Sequence, residues 1–386
     1  QVPSFPTRRQ LDEVDGDRFV FARRICSHVG VVNTALLAEI DAPPEFVDRE
    51  SGVITEDAVY LANQLTRPPA QALVPAIGDA VADLHRLGIT GIHDVVGTHF
   101  YDAYLDGLRR SGAPLRVDAM LVAGPGEYAA LADKSSDISA DLFRPAGIKL
   151  FSDGSFGGWT AALNSPYSDS QTIGEFLLDE NDLENALRRC CDDGISCTVH
   201  AIGDRAVRTV LLEMKKFPDN PDLFRIEHAE LIGWDELRLL EETRVFLCMQ
   251  PNFVRNWQQP GGLYETRLGR DRWERCNPFR SLREAGVELL FSSDGMPPGP
   301  LYGARGATHH PLPGQRLSLA ETFQAYSATS SQFGVFRRKT GRIEAGYLAD
   351  LAVLSGATQP GDPDLLKVES TLVGGEAVYR RDGHCA

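Results

Sequence analysis

Four short apolar runs in this chain each close on a residue able to do chemistry. GIKLFSDG carries Lys149, CTVHAIGD carries His200, RIEHAE carries His228 and LLFSSDG carries Asp294. Imidazole suits Zn²⁺, Fe²⁺ or Mn²⁺, and a carboxylate can ligate a metal or act as a base. One Lys, two His and one Asp are therefore the residue types of a hydrolytic metal site. Taken singly, each has a plainer reading. A histidine closing a strand is more often a hydrogen-bonded core residue than a ligand, and Asp294 before Gly295 could cap a turn. Lys149 is harder to set aside, because a buried ammonium is destabilising unless paired. Four such residues at matching positions make accident a poor explanation of the set. The other histidines fit less well: His85 reads as a surface residue of a helix, His93 and His99 flank a strand near the mouth, His309 and His310 lie in a loop, and His384 is in the tail.

Those four residues can meet only if the intervening chain brings the ends of their runs together. From about residue 80 helical and apolar stretches alternate. Helices are expected over 72–87, 101–112, 127–133, 180–193, 204–216, 234–242 and 278–285. Strands are expected over 89–96, 115–122, 146–151, 195–200, 223–228, 244–249 and 287–293. Repeated strand–helix–strand units give either an open doubly wound sheet or a closed barrel. Seven strands are counted where a (β/α)₈ barrel needs eight. Residues 17–24 are a weak candidate for the eighth, since an irregular stretch of chain follows them before the rhythm starts. No Gly-x-Gly-x-x-Gly or Walker loop is present, which lowers a nucleotide-binding reading. After about residue 335 the texture becomes β-like: 339–354 alternates, and 368–379 reads as a hairpin around Gly374-Gly375.

Composition bounds the function. The chain has 386 residues, 42% of them hydrophobic and 24% charged, ordinary values for a globular protein and ample for a core without disulfide or structural metal. The net charge of −15 and the absence of a Lys/Arg cluster argue against a nucleic-acid partner. No apolar run is long enough to span a membrane, and no signal peptide is in view at Gln1. Seven scattered cysteines, with a pair at 190–191, suit reduced thiols in a cytoplasm, and the lack of CxxC excludes a zinc finger.

Beyond these residue types, longer pieces carry a resemblance. GIKLFSDGSFGGWTAALNSPYSD (147–169), VHAIGDRAV (199–207), RIEHAEL (225–231), QPNF (250–253), SSDG (292–295) and GRIEAGYLADLAVL (341–354) occur in this order. The stretch 17–37 joins them. On these pieces the chain resembles the amidohydrolase superfamily, in amidohydrolase family 3, which includes N-substituted formamide deformylase-like enzymes. The resemblance implies a (β/α)₈ TIM-type barrel with a small β-sandwich, the barrel occupying 1–335 and 336–386 forming the C-terminal part of the sandwich. It implies a divalent metal site, one or two ions with zinc foremost. Lys149, which carboxylation would turn into an anionic oxygen ligand, matches its strand-4 position. His200, His228 and Asp294 match strands 5, 6 and 8. His28, in RICSHVG, matches a family histidine near the substrate mouth, although Ser27 stands where Gly is usual.

Two departures bear on function. The family's strand-1 His-x-His pair occurs nowhere among the nine histidines. The missing pair and the seven-strand count agree that strand 1 and the first sandwich strands are absent from the chain as it stands. A removed N-terminus is favoured over an impaired paralogue, because a barrel without strand 1 exposes the edges of its neighbours. After Asp294 the run Gly295-Met296-Pro297-Pro298 replaces the Trp-Pro of many relatives, which touches specificity and leaves the reaction class. The expected function is hydrolysis of carbon–nitrogen bonds other than peptide bonds, amide or N-acyl, with Asp294 as general base and His28 beside the carbonyl. A non-catalytic paralogue and a hydrolase of cyclic C–N or C–O substrates are the alternatives. The expected partner is a small-molecule substrate bound by the loops 153–175 and 253–277, with a homodimer left open.

Overall fold

The helices of this chain carry apolar residues at helical spacing and explicit stop signals. In ENDLENALRRCCDD, Leu183, Leu187 and Cys190 fall on one buried face. Asp179 caps the start by accepting from the amides of Asn181 and Asp182, and Gly194 ends the helix in the left-handed conformation. The strands are continuous apolar runs, as expected where both faces are covered.

The computed structural model describes residues 5–24, 28–337, 339–356 and 362–381; Cys26, Cys385 and His384 lie outside them. The chain opens with α1 (Arg8–Val14), β1 (Phe21–Arg23), β2 (Val29–Val32), α2 (Thr34–Glu39), β3 (Val53–Thr55) and α3 (Glu56–Leu65). Alternation follows: α4 (Ala70–Arg86), β4 (Gly91–Gly97), α5 (Tyr101–Ser111), β5 (Arg116–Val122), α6 (Pro125–Asp133), β6 (Phe143–Phe151), α7 (Glu180–Asp193), β7 (Ser196–Ala201), α8 (Asp204–Met214), β8 (Phe224–His228), α9 (Trp234–Thr243) and β9 (Phe246–Met249). Four helices, α10 (Pro251–Trp257), α11 (Leu263–Leu268), α12 (Arg270–Trp273) and α13 (Phe279–Glu284), lead into β10 (Leu289–Phe291). Then come α14 (Pro300–Thr308), α15 (Leu319–Gln324), β11 (Leu351–Ser355), β12 (Lys367–Val373) and β13 (Glu376–Arg380).

Strands β4 to β10 form one parallel sheet in strict sequence order. A doubly wound sheet reverses its order at a switch point; this one never reverses, so every right-handed crossover falls on the same face and the sheet curls about the other. The open doubly wound alternative is thereby set aside. Along each strand the outward residues, among them Ile148, Val199, Ile226 and Leu247, join Leu187, Val210 and Leu240 of the helices in the main core. The inward residues line the curl. Among the described residues β4 and β10 are not paired with each other, so the curl is a seven-stranded barrel open along one seam. Residues 17–24 do not supply an eighth strand; Phe21–Arg23 pairs antiparallel with β2 in a separate three-stranded sheet with β3.

The C-terminal sheet β11–β12–β13 is antiparallel, and Gly374 and Gly375 at φ 61° and 88° make the two-residue turn that a hairpin's right-handed twist prefers. Of the alternating segment 339–354, only its end is strand. His85, expected on the surface, is buried: the C-terminal sheet packs on α4, where the Thr371 hydroxyl donates to the carbonyl of His85 (2.7 Å). Its ring meets the carbonyl of Pro114 at 3.0 Å. The five described cysteines, 190, 191, 197, 248 and 276, are free thiols. No described helix is long and apolar enough to cross a membrane.

The lower interior of the curl is charged. Arg225, buried, meets Oε1 of Glu227 at 2.6 Å and Nδ1 of His93 at 2.7 Å, with its guanidinium 4.5 Å from the centroid of the Phe333 ring. Arginine can only donate, so Nδ1 of His93 accepts and its Nε2 proton faces Asp118, 3.5 Å away. Burial together with Arg225 pushes His93 down to about 3, which keeps it neutral. Burial works to raise Glu227, but Arg225 and Lys149 outweigh it and hold the carboxylate low. Removing one member of a buried pair strands the other charge. Glu227→Leu is expected to lower the apparent unfolding free energy in urea by about 3–5 kcal/mol, and Arg225→Met added to it to restore most of that loss. A loss below about 1 kcal/mol in the single variant would show that the pair does not hold this layer.

Candidate metal-binding active site

A cavity of about 970 Å³ occupies the curl, lined both by residues at the C-terminal ends of the strands and by Gly91 and Arg116, which begin β4 and β5. His28, Lys149, His200, His228 and Asp294 all line it. Four come from the ends of barrel strands or the turns after them: Lys149 from β6, His200 from β7, His228 from β8 and Asp294 three residues past β10. His28 comes from the segment just before β2.

Each histidine is oriented by a partner that determines its tautomer. Nε2 of His200 lies 2.9 Å from the carbonyl oxygen of Gly154 and 3.4 Å from Oδ1 of Asp153. Both partners accept, so Nε2 carries the proton and Nδ1 keeps its lone pair. Asp153 is held in turn by the amides of Ala162 (2.9 Å), Ile202 (3.0 Å) and Gly203 (2.9 Å). His228 places Nδ1 2.8 Å from Oε1 of Gln250. The amide nitrogen of Gln250 donates to the carbonyl of Cys248 (3.1 Å) and to Oγ of Ser292 (2.9 Å), which leaves its oxygen toward the ring. His228 therefore carries its proton on Nδ1 and keeps the lone pair of Nε2. Burial drives both imidazoles far below the ordinary histidine range, so both are neutral, the form in which an imidazole can ligate a metal. Their ring centroids are 4.6 Å apart.

Lys149 is 4% exposed, and no described carboxylate stands within ion-pair distance of its ammonium; the Phe151 ring centroid lies 5.1 Å from Nζ. Burial pushes it down to about 8, against the pull of Glu227. Asp294 is open to the cavity yet ringed by protein, and this surrounding pushes its carboxyl up to about 6 while Lys149 pulls the other way. Its carboxylate takes no hydrogen bond from any described residue. Asn252 holds the loop that presents it, donating to the carbonyls of Ser293 (2.7 Å) and Met296 (2.8 Å).

Nδ1 of His28 lies 2.8 Å from Oε2 of Glu56. Burial opposes the imidazolium, but the hydrogen bond and charge of Glu56 outweigh it and hold His28 above its ordinary value. Of the seven described non-glycine residues at positive φ, four fall at this site: Glu56 (40°), His228 (74°), Ala229 (45°) and Asp294 (50°). Such backbone is maintained against about 1–3 kcal/mol each and collects where geometry is functional.

As a metal site the donor chemistry fits in kind. Two neutral imidazoles with free lone pairs stand edge to face, and Lys149 and Asp294, which line the cavity without an ion pair or side-chain hydrogen bond to any described residue, would be the remaining donors. Among the described residues no three His, Cys, Asp or Glu side chains are gathered closely enough to hold an ion as they stand. An ion held here would need a third donor beside the two imidazoles, and Lys149 in an anionic form or a displaced Asp294 would be the nearest in kind. Sequence reasoning missed Glu56, Asp153, Gln250 and the Arg225–His93 contact. Asp153 and Gln250 sat inside the quoted pieces but carried no signal of their own, and Glu56 sat in none.

Comparison with known proteins agrees with this architecture. The model of the amidohydrolase family matches residues 2–379. The putative amidohydrolase YtcJ of Bacillus subtilis (strain 168) is 28% identical over 417 aligned residues, covering 99% of this chain and 78% of its own. The N-substituted formamide deformylase of Arthrobacter pascens is 23% identical, covering 98% and 76%. The crystal structure of an uncharacterized metal-dependent hydrolase from Pyrococcus furiosus superposes with a TM-score of 0.70 at 28% identity, over 89% of this chain and 73% of that one. The triazine hydrolase of a further solved structure shares the fold, with a TM-score of 0.57 at 14% identity. With a single family model spanning nearly its whole length, the chain belongs to the amidohydrolase family, whose members are generally metal-dependent hydrolases.

Proposed function

We propose that the protein hydrolyses carbon–nitrogen bonds of amide or N-acyl small molecules at this cavity. The reading rests above all on one observation: two neutral imidazoles, each with its second nitrogen tied to an acceptor, present lone pairs beside a partnerless buried lysine and a partnerless carboxylate. His200 through Nδ1 and His228 through Nε2 are the nitrogen ligands of a divalent cation, zinc foremost. Such an ion supplies Lewis acidity and makes water a nucleophile at neutral pH. Lys149 is the third ligand as its carbamate. With a pKa near 8, about a tenth of its amine is neutral at pH 7 and free to add CO₂, releasing one proton and converting an unpaired buried cation into an oxygen donor.

Asp294 is the general base. It faces the cavity with no hydrogen-bond partner to compete for its lone pairs, takes the proton of the attacking water and returns it to the leaving nitrogen. His28, which Glu56 keeps readily protonated, donates from Nε2 to the scissile carbonyl. Phe151, Phe156, Phe253, Trp257 and Tyr264 line the cavity, so the substrate's substituents are expected to be largely apolar. The similarity to the N-substituted formamide deformylase of Arthrobacter pascens makes N-substituted formamides the first substrates to try.

Zinc titration of the purified protein should show one to two equivalents bound. His200→Ala and His228→Ala should each abolish tight binding with the fold retained, and Gln250→Leu should weaken it by about 10–100-fold by freeing the His228 ring. Wild-type stoichiometry in both histidine variants would remove the site. Asp294→Asn keeps the shape but cannot accept a proton. Its kcat on an N-formyl or N-acetyl amine should drop by roughly 10² or more while most of the metal stays bound. A residue that only caps the turn would instead leave turnover near normal and shift stability by about 1 kcal/mol.

A further inference from the structure

The cavity has a second built corner, on the N-terminal segment rather than the barrel. Val29 of β2 pairs with Thr55 of β3. The amide of Glu56 then donates to the carbonyl of His28 (3.1 Å), carrying the ladder one step further toward the cavity. That step brings the two side chains together, Nδ1 of His28 on Oε2 of Glu56 at 2.8 Å. The Glu56 side chain is 5% exposed and that of His28 17%. Two features of Glu56 oppose stability. Its backbone sits at φ 40°, where an L-residue is strained, and its other carboxylate oxygen, Oε1, is buried without a hydrogen-bond partner. A glutamate serving only the first turn of α3 would gain from the helix dipole while exposed and would need neither feature. The same oxygen abuts Gly154, where a Cβ would clash with Oε1, and the carbonyl of Gly154 is the acceptor that orients His200. The His28 and His200 rings are 5.1 Å apart.

We infer that Glu56 is the positioning residue of His28: its carboxylate accepts the Nδ1 proton, holds the ring, and turns Nε2 to the cavity as the nitrogen that meets the substrate. The arrangement follows the general logic of a buried carboxylate behind a functional imidazole. The carboxylate fixes which nitrogen carries the proton and which faces the reaction, and it balances positive charge on the ring. Nothing in the barrel supplies this orientation, since no other described hydrogen bond reaches the His28 ring. The inference deepens the hydrolase reading and rests on it for the presence of substrate, but the hydrogen bond itself does not depend on that reading.

Proton NMR separates the two. Wild-type protein should show a strongly downfield, slowly exchanging imidazole N–H resonance that disappears in His28→Gln. Glu56→Ala should lose it, and Glu56→Gln should keep it at a less downfield position, because an amide oxygen is a weaker acceptor than a carboxylate. Turnover of an N-formyl amine by the zinc-loaded enzyme should fall by roughly 10² in Glu56→Ala, with KM little changed and part of kcat recovered in Glu56→Gln. Should Glu56→Ala fail to fold, the shift in Glu56→Gln carries the test. Absence of the resonance in wild type, its persistence unchanged in the Glu56 variants, or wild-type kcat in Glu56→Ala would overturn the inference. A wild-type protein that hydrolyses no amide yet shows the resonance, and loses it in Glu56→Ala, would defeat the hydrolase reading and leave the dyad standing.

Discussion

Seven parallel strands added in one direction leave the chain a single choice about where each side chain goes. With every crossover on one face, alternate residues of each strand lie under helices and the others face the curl. The outward set is apolar and supplies the main core. The inward set is released from the demand for hydrophobicity, and this chain uses it for Lys149, His200, Arg225 and Glu227. Strand ends are the natural place for reactive groups because backbone pairing stops there and the side chains reach open space while their Cα atoms remain held by the sheet.

Charge inside such a curl has to be compensated locally, and the two halves of the interior do this differently. Deep in the barrel, Arg225 is answered by Glu227 and His93, with the Phe333 ring against its guanidinium. Near the mouth compensation is withheld. Lys149 has no counter-ion and Asp294 no donor, while the histidines are satisfied on one nitrogen and left bare on the other. The interior thus pairs its charges below and leaves Lys149 and Asp294 unpaired above, the contrast on which the proposed metal site rests. The strained backbone at His228, Ala229 and Asp294 marks the same level of the barrel.

The motifs are explained by their partners as much as by their reactive members. QPNF contributes no ligand, yet Gln250 determines the tautomer of His228 and Asn252 pins the loop bearing Asp294. In GIKLFSDG the aspartate is a buried acceptor of three amides behind His200, and the glycine carbonyl next to it is that ring's orienting group. Positioning groups of this kind are spaced by the three-dimensional path of the loops, so their pairing with a ligand cannot be read from distance along the chain.

Much of the architecture was legible in the residues. The strands and helices from 72 to 293 declare themselves by period and punctuation, since burial of one face dictates both, and the polar residues closing the apolar runs identify four of the cavity's members. Tertiary structure decided what depends on distant segments meeting. His85 is buried because the C-terminal sheet, almost three hundred residues away, lies on α4, and helical periodicity carries no information about that cover. Glu56 meets His28 because β2 and β3 pair in one register, and a shift of a single residue would turn the side chains to opposite faces. Tautomers, orphaned oxygens and unpaired charges likewise exist only after packing, because each is a statement about which partner a folded chain does or does not bring within reach.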